Sequence, residues 1–247
     1  MKEIKRYVFN EENLWLNARD RVFTSSEVNR LMADIERKMT PEELIEFKKD
    51  NPKSKRINII DKSILSDGAI TYIVEKISAQ FGLSKFVFTN IDMQHGKDLE
   101  PVAALYLCDY LGLNPSSDDV IYTSHNGTVF FTDSEIGGTP DIILPKLKAI
   151  AEIKCPNSQT HLYNKLFLTP DNFATEYPVY YDQMQMNMYL TDSEKCYFIS
   201  FDDRFEDSRI ISHIIIIDRN QVRIDAILDK VSIATAFKNN MIKKLIP

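Results

Sequence analysis

Asp141 stands eleven residues before Glu152, and Ile153 and Lys154 follow that glutamate directly, within GGTPDIILPKLKAIAEIKCP, residues 137 to 156. Two carboxylates and an amine at this spacing suggest a metal-dependent phosphodiesterase. Carboxylate oxygens are hard ligands suited to Mg2+ or Mn2+, and the backbone carbonyl of Ile153 offers a third. Attack on a phosphodiester needs charge neutralised on the phosphoryl oxygens and a water made nucleophilic. A divalent ion and a neighbouring ammonium supply both. Taken alone, the short pattern is also one that a solvated hairpin carries.

The elements that must position these groups form a hairpin. Asp141 to Leu144 reads as one strand, Pro145 to Lys148 as a turn and Ala149 to Lys154 as a second strand, so alternation puts Glu152 and Lys154 on one face, over which Asp141 must close. Val120 to Ser124 and Thr128 to Thr132 are two further strand candidates just upstream, and the close spacing of the four predicts a meander. Lys195 to Phe201 and Ile210 to Ile217 read as later strands. Ser25 or Ser26 is expected to cap a helix through Val28, Leu31, Met32 and Ile35, and Thr40-Pro41-Glu42-Glu43 opens another. Ser66 to Gln80 and Leu99 to Leu111 carry helical periodicity, the latter with Glu100 near its start. The methionine- and glutamine-rich Tyr181 to Leu190 fits a helix, and Gln221 to Leu245 has an apolar helical face. Helices around a central mixed sheet give an α/β or α+β core.

The 247 residues allow one substantial core, with 44% hydrophobic and 27% charged residues, the balance of a soluble globular protein. There is no apolar run long enough to cross a bilayer, and the start MKEIKRYVFNEENLW lacks the apolar core of a signal peptide, so a cytoplasmic location is expected. Cys108, Cys155 and Cys196 form no CxxC pair and read as free thiols. The net charge of −6 argues against a surface coated for nucleic acid, but leaves room for basic groups confined to a groove. The densest basic stretch, KKDNPKSKR from Lys48 to Arg56, reads either as a solvated loop or as a contact for backbone phosphates.

A wider pattern carries a resemblance. In order along the chain come Trp15-Leu16-Asn17-Ala18-Arg19 with Phe23-Thr24-Ser25-Ser26, then His95-Gly96-Lys97-Asp98-Leu99-Glu100-Pro101, Gly137-Gly138-Thr139-Pro140-Asp141, Glu152-Ile153-Lys154-Cys155-Pro156 and Tyr180-Tyr181-Asp182-Gln183-Met184-Gln185. The chain resembles the PD-(D/E)XK nuclease superfamily and, within it, the phage lambda exonuclease or YqaJ-type alkaline exonucleases. The resemblance implies a restriction-endonuclease-like core in a single nuclease domain over residues 1–247. Within it, a helical region at about 10–60 would bind the 5′ end, and a catalytic core would span about 64–220. It implies Asp141 and Glu152 as principal ligands of two Mg2+ or Mn2+ ions, and Glu100 as a helix-borne carboxylate at the second metal position. Lys154 would activate or position the attacking water, and Gln183 would orient Lys154 or that water. Arg19, Thr24 and Ser26 would form the pocket for a terminal 5′-phosphate. A guanidinium fork and hydroxyl donors suit that anion.

Gln185 is expected to be structural or close to DNA, Met184, Met186 and Met188 to fill the core, and Trp15 either to anchor the core or to stack near the entering end. His95, His125, His161 and His213 lack metal-binding spacing. His95 reads as a loop residue within reach of substrate, and His125 as a turn residue. No nucleophile elbow and no GxxxxGK[ST] loop is present. The resemblance thus implies a 5′-to-3′ exonuclease on double-stranded DNA that releases 5′-mononucleotides and leaves a 3′ tail for recombination. It also implies a homotrimeric ring, a single-strand annealing protein as partner and, for a phage-encoded chain, the cytoplasm of a bacterial host. The rivals are a restriction-like endonuclease and a non-catalytic DNA-binding protein on the same fold.

Overall fold

The computed structural model describes residues 3–82, 91–124 and 127–246, with residues 91–95 described by backbone alone. His125 and the side chain of His95 lie outside the described residues. In chain order the elements are β1 (Lys5–Phe9), α1 (Glu12–Asp20), β2 (Phe23–Thr24), a 3-10 turn (Val28–Leu31), β3 (Glu36–Lys38), α2 (Pro41–Asp50), β4 (Asn58–Ile60), α3 (Asp67–Gln80) and α4 (Ile91–Leu111). They continue as β5 (Ile121–Tyr122), β6 (Thr128–Thr132), β7 (Ile136–Gly138), β8 (Ile142–Leu144), β9 (Ala149–Lys154), α5 (Ser158–Phe167), α6 (Pro170–Glu176), α7 (Pro178–Thr191), β10 (Lys195–Phe201), β11 (Ser212–Asp218) and α8 (Gln221–Leu245). The architecture is mixed α/β, sheets flanked by helices, as expected.

The sheet that carries the site runs β11-β10-β9-β8-β5, with β9 and β10 parallel and the other neighbours antiparallel. Strand β9, AIAEIK, is buried from Ala149 to Ile153 because helices cover both its faces. Ala149, Ala151 and Ile153 pack with Leu99, Ala103 and Leu107 of α4, whereas Ile150 packs with Met184 and Met188 of α7. Met186 faces the other way, into a core with α3 and α8, so α7 is apolar on opposite sides and its three methionines are fully buried. Gln185 is structural: its amide bonds Asp218 O and Asn220 N–H at 2.9 and 2.7 Å.

Several expectations need correction. The four strands do not form one meander, because β6 leaves the hairpin's sheet and joins a second one, ordered β1-β6-β7-β2. Its antiparallel partner β1 lies more than a hundred residues upstream, and such non-local pairing leaves no trace in local spacing. The helix expected after Ser26 is only the 3-10 turn. Ser26 Oγ accepts from Arg19 Nη2 instead of capping, and Asn29 and Arg30 reach Asp182 and Glu75. The region 10–60 is therefore not simply helical. Helix α4 begins at Ile91, so Glu100 lies mid-helix beside Pro101, away from the favourable N-terminal dipole. The capping box at Thr40 is present as expected, and Ser66 caps α3.

Candidate active site

The hairpin opens beside the residues singled out from the sequence. β8 and β9 pair from Leu144↔Ala149 to Ile142↔Ala151, and beyond that point β9 runs on without β8. Asp141 caps the opened edge: its Oδ2 accepts the Ile153 N–H at 2.6 Å. In an extended strand the N–H and C=O of one residue share an edge, so the Ile153 carbonyl is directed to the same side as Asp141. One residue earlier, Glu152 points to the α7 face and is 1% exposed. Its Oε1 accepts from Gln183 Nε2 at 2.6 Å and from Lys154 Nζ, while its Oε2 is buried without a partner. Lys154 Nζ also lies 5.0 Å from the centroid of the Tyr180 ring.

Crowding of like charge governs the electrostatics. Burial, then Asp141, push the Glu100 carboxyl up to about 7 against the pull of Lys154 and Lys97. Burial likewise raises Glu152 to about 7, with Asp141 and Glu100 adding to it and Lys154 opposing. Asp141 is raised by burial, against Lys154 and the Ile153 N–H. Burial works against the Lys154 ammonium, yet Glu152 and Asp141 outweigh it and hold the amine above its ordinary range. Two lysines, the half-buried Lys154 and the exposed Lys97, thus face three carboxyl groups, a deficit of positive charge that a divalent ion would fill.

The donor set fits a hard divalent ion: the oxygens of Asp141, Glu152 and Glu100, the Ile153 carbonyl edge and the orphaned Glu152 Oε2. Among the described residues, no group of three or more His, Cys, Asp or Glu side chains is closed around a metal-sized point. The reason is local. Asp141 is turned to a backbone N–H, and Glu152 Oε1 to Gln183 and Lys154, so the chain's own donors stand where cations would.

The same cleft, of about 640 Å³, extends to Arg19, Thr24 and Ser26. Arg19 Nη2 donates to Ser26 Oγ at 2.8 Å, and its guanidinium lies 5.2 Å from the Trp15 ring centroid. Thr24 is held in turn, its N–H donating to Tyr72 OH at 2.9 Å, and Tyr72 is buried against Phe23. The floor between the two groups is β7. A Cβ on Gly137 would run into the Phe130 ring of the neighbouring strand β6, and one on Gly138 into Asn187 Oδ1 and Ser25 Oγ, so Gly137 makes room for that ring and Gly138 lets the sheet approach α7 and the loop after β2.

All eight side chains singled out from the sequence, Arg19, Thr24, Ser26, Glu100, Asp141, Glu152, Lys154 and Gln183, line this cleft. Gln183 donates to Glu152 Oε1, the oxygen that also accepts from Lys154 Nζ, so its link to Lys154 runs through that carboxylate. Trp15 lines the cleft beneath the Arg19 guanidinium, with its Nε1 buried and without a hydrogen-bond partner, and is absent from the buried core. Sequence reasoning gave no role to Lys97, Tyr180 or Thr139. Lys97 and Tyr180 each sit three residues before an identified residue on the same helix, a spacing that places them on its face. Asp182, within the last motif, instead ties α7 to α8 through Arg223 at 2.7 Å.

A family model for the YqaJ-like viral recombinase domain matches residues 14–194. No curated protein matches the chain. Among solved structures, the alkaline exonuclease LHK-Exo of Laribacter hongkongensis, alone and in complex with dAMP, superposes with a TM-score of 0.64. It shares 24% identity, over 94% of this chain and 95% of that one. A phage-related exonuclease from Haemophilus somnus 129PT gives the same TM-score at 19% identity, over 91% of this chain and 96% of the other. At these identities the likeness shows the fold.

Proposed function

Because the chain belongs to the YqaJ-like viral recombinase family of PD-(D/E)XK alkaline exonucleases, a membership that supports nuclease activity, we propose that it is a metal-dependent 5′-to-3′ exonuclease of double-stranded DNA. In this reading it releases 5′-mononucleotides and leaves a 3′ single-stranded tail. The observation that carries the proposal is the joining of two sites in one cleft. An anion pocket of Arg19, Thr24 and Ser26 opens onto the carboxylates and Lys154, so a strand held by its terminal phosphate presents its first internal phosphodiester to the hydrolytic groups. The dAMP complex of the Laribacter enzyme supports a nucleoside monophosphate as the product.

Hydrolysis joins a water oxygen to phosphorus and breaks the P–O3′ bond. The terminal nucleotide leaves with a 3′-hydroxyl, and the shortened strand keeps a new 5′-phosphate, the ligand that Arg19 takes for the next cycle. Mg2+ or Mn2+, two ions in this reading, would be held by Asp141, Glu152, Glu100 and the Ile153 carbonyl and would supply charge neutralisation and a more acidic water. Lys154, held as an ammonium, stabilises phosphoryl charge and fixes Glu152 instead of taking the water's proton. Gln183 locks the same carboxylate oxygen from the other side without adding charge. Linear 5′-phosphorylated duplex and closed circles test the reading. Digestion of the linear form with circles spared supports it, discrete fragments indicate an endonuclease, and survival of both indicates a binding protein.

The assembly belongs to the same proposal: a homotrimeric ring that encloses DNA and works with a single-strand annealing protein. Enclosure would give a chain of net charge −6 a persistence on DNA that bulk attraction does not. Helix α5 leaves Leu162, Tyr163, Leu166 and Phe167 exposed along one face, apolar surface of the kind that contacts between chains cover. No helix among the described residues is long and apolar enough to cross a membrane. Light scattering would give the particle mass; a monomer would remove the ring.

A further inference from the structure

A second cavity, of about 450 Å³, meets the catalytic cleft at Lys97, Glu100, Ser124 and Asp141. It contains none of Arg19, Thr24, Ser26, Glu152, Lys154 or Gln183, and it runs away from the anion pocket along α4. Strand alternation explains the division. Glu152 faces α7, whereas Ile153 faces α4 and lines the second cavity, so the two spaces lie on opposite faces of the opened β9 and meet only along the wall of Lys97, Glu100, Ser124 and Asp141. Their characters differ too. Beyond the shared mouth the walls of the second cavity are mostly apolar, Pro101, Leu105, Pro115 and Ile142, with the hydroxyls of Tyr122 and Ser116 as the polar exceptions and the exposed Lys97 ammonium at the mouth.

A DNA strand meets these features in a fixed order. With its 5′-phosphate at Arg19 and its first internal phosphodiester at Asp141 and Glu152, the next nucleoside has to pass the shared wall. We propose that the second cavity binds this nucleoside, the one on the 3′ side of the scissile phosphate, as an unpaired base against Pro101, Leu105 and Tyr122. The inference rests on the exonuclease reading above. The chemistry matches on three counts: the volume lies within the range of about 300–1,000 Å³ typical of small-ligand pockets, apolar walls suit the face of a base, and Lys97 suits the phosphate at the mouth. Consequently the strand is gripped on both sides of the bond that breaks, by charge at its terminus and by base contact beyond it.

The test is single-turnover release of the first nucleotide from 5′-phosphorylated duplexes whose first two nucleotides are mismatched, so that no pairing must be broken. One duplex carries an abasic residue as its second nucleotide, one carries it as the third and one has none. Loss of the second base should slow the wild-type protein about tenfold, within the range that a stacked base contributes, and loss of the third should not. Leu105 is 52% exposed, so its replacement leaves the core intact. Leu105→Ser should slow the unmodified duplex and bring the ratio of unmodified to second-abasic rates towards one, while Leu105→Met should keep the wild-type ratio. Equal wild-type rates on the unmodified and second-abasic duplexes would overturn the pocket and leave the nuclease standing. A wild-type ratio that persists in Leu105→Ser would place the base elsewhere and overturn it as well. No hydrolysis of any duplex would overturn the exonuclease reading and this inference with it.

Discussion

Replacing Arg19 separates terminal recognition from chemistry more cleanly than any other change in the cleft. Its guanidinium is already placed, bonded to Ser26 Oγ at 2.8 Å and lying over the Trp15 ring, and no carboxylate among the described residues pairs with it. Little ordering is therefore left to oppose phosphate binding, and the fork keeps donors for the anion. Hydrogen bonds to charged groups contribute about 1.5–3 kcal/mol, which corresponds to roughly 10- to 150-fold in rate. Arg19→Ala should slow first-nucleotide release from 5′-phosphorylated duplex by that factor and leave the 5′-hydroxyl duplex within about threefold of wild type, taking an ordinary surface substitution as the reference. Arg19→Lys should fall between, since it keeps the charge and loses the planar fork. Ser26→Ala should act in the same direction, but by less, through the lost support for Arg19. The measurement is the ratio of single-turnover rates on the two ends for each variant. Equal slowing of both ends by Arg19→Ala would refute the argument and return Arg19 to general phosphate contact or folding.

Asp141→Ala and Glu152→Ala should each abolish metal-dependent hydrolysis and the rise in melting temperature that Mg2+ or Mn2+ gives the wild type, whereas Lys154→Ala should lose turnover and keep more of that rise; near-normal cleavage by either carboxylate variant would sink the site. Gly138→Ala should cost about 1–3 kcal/mol, because its Cβ would meet Asn187 Oδ1 and Ser25 Oγ, and denaturant unfolding would show it. A pH effect follows from the raised carboxyls. In chelator-treated protein Glu100 and Glu152 bind protons up to about pH 7, while in the unfolded chain they lose them near 4.5. The folded state therefore holds more protons across that window, and stability falls as pH rises from about 4.5 to 7. Melting curves of wild type and Glu100→Gln across that range should show a shallower fall in the variant, and identical slopes would count against the shift.

The hairpin of the candidate site was legible because each of its parts is local. Alternation fixed the face of Glu152 and Lys154, and Pro145 with Lys148 marked a turn in which Lys148 takes the left-handed conformation. What closes the site was not legible from periodicity. Arg19 comes to line the same cleft as the carboxylates through β2, a two-residue strand seated in parallel on β7, and β7 owes its place to β6 and β1. None of these pairings is between sequence neighbours with a hairpin signature, apart from β6 and β7, and β2 is too short to show a period. Only the order of motifs along the chain anticipated that Trp15 to Ser26 would share a cleft with Asp141.

Glu100 shows the same limit from another side. From sequence it sits where a helix start would stabilise a carboxylate, and Pro101 supports that reading, since proline favours the first turn. Helix α4 nevertheless begins at Ile91 and carries Pro101 inside, which removes one backbone donor and frees the Lys97 carbonyl beside the cleft. A helix accepts that loss where something else rewards the geometry. Here the reward is position: Glu100 is held near Asp141 without dipole relief, at a raised pKa, on the wall between the two cavities. A carboxylate kept under repulsion in this way is poorly placed for stability and well placed to bind a cation, so the irregular helix is best understood as a consequence of the site it serves.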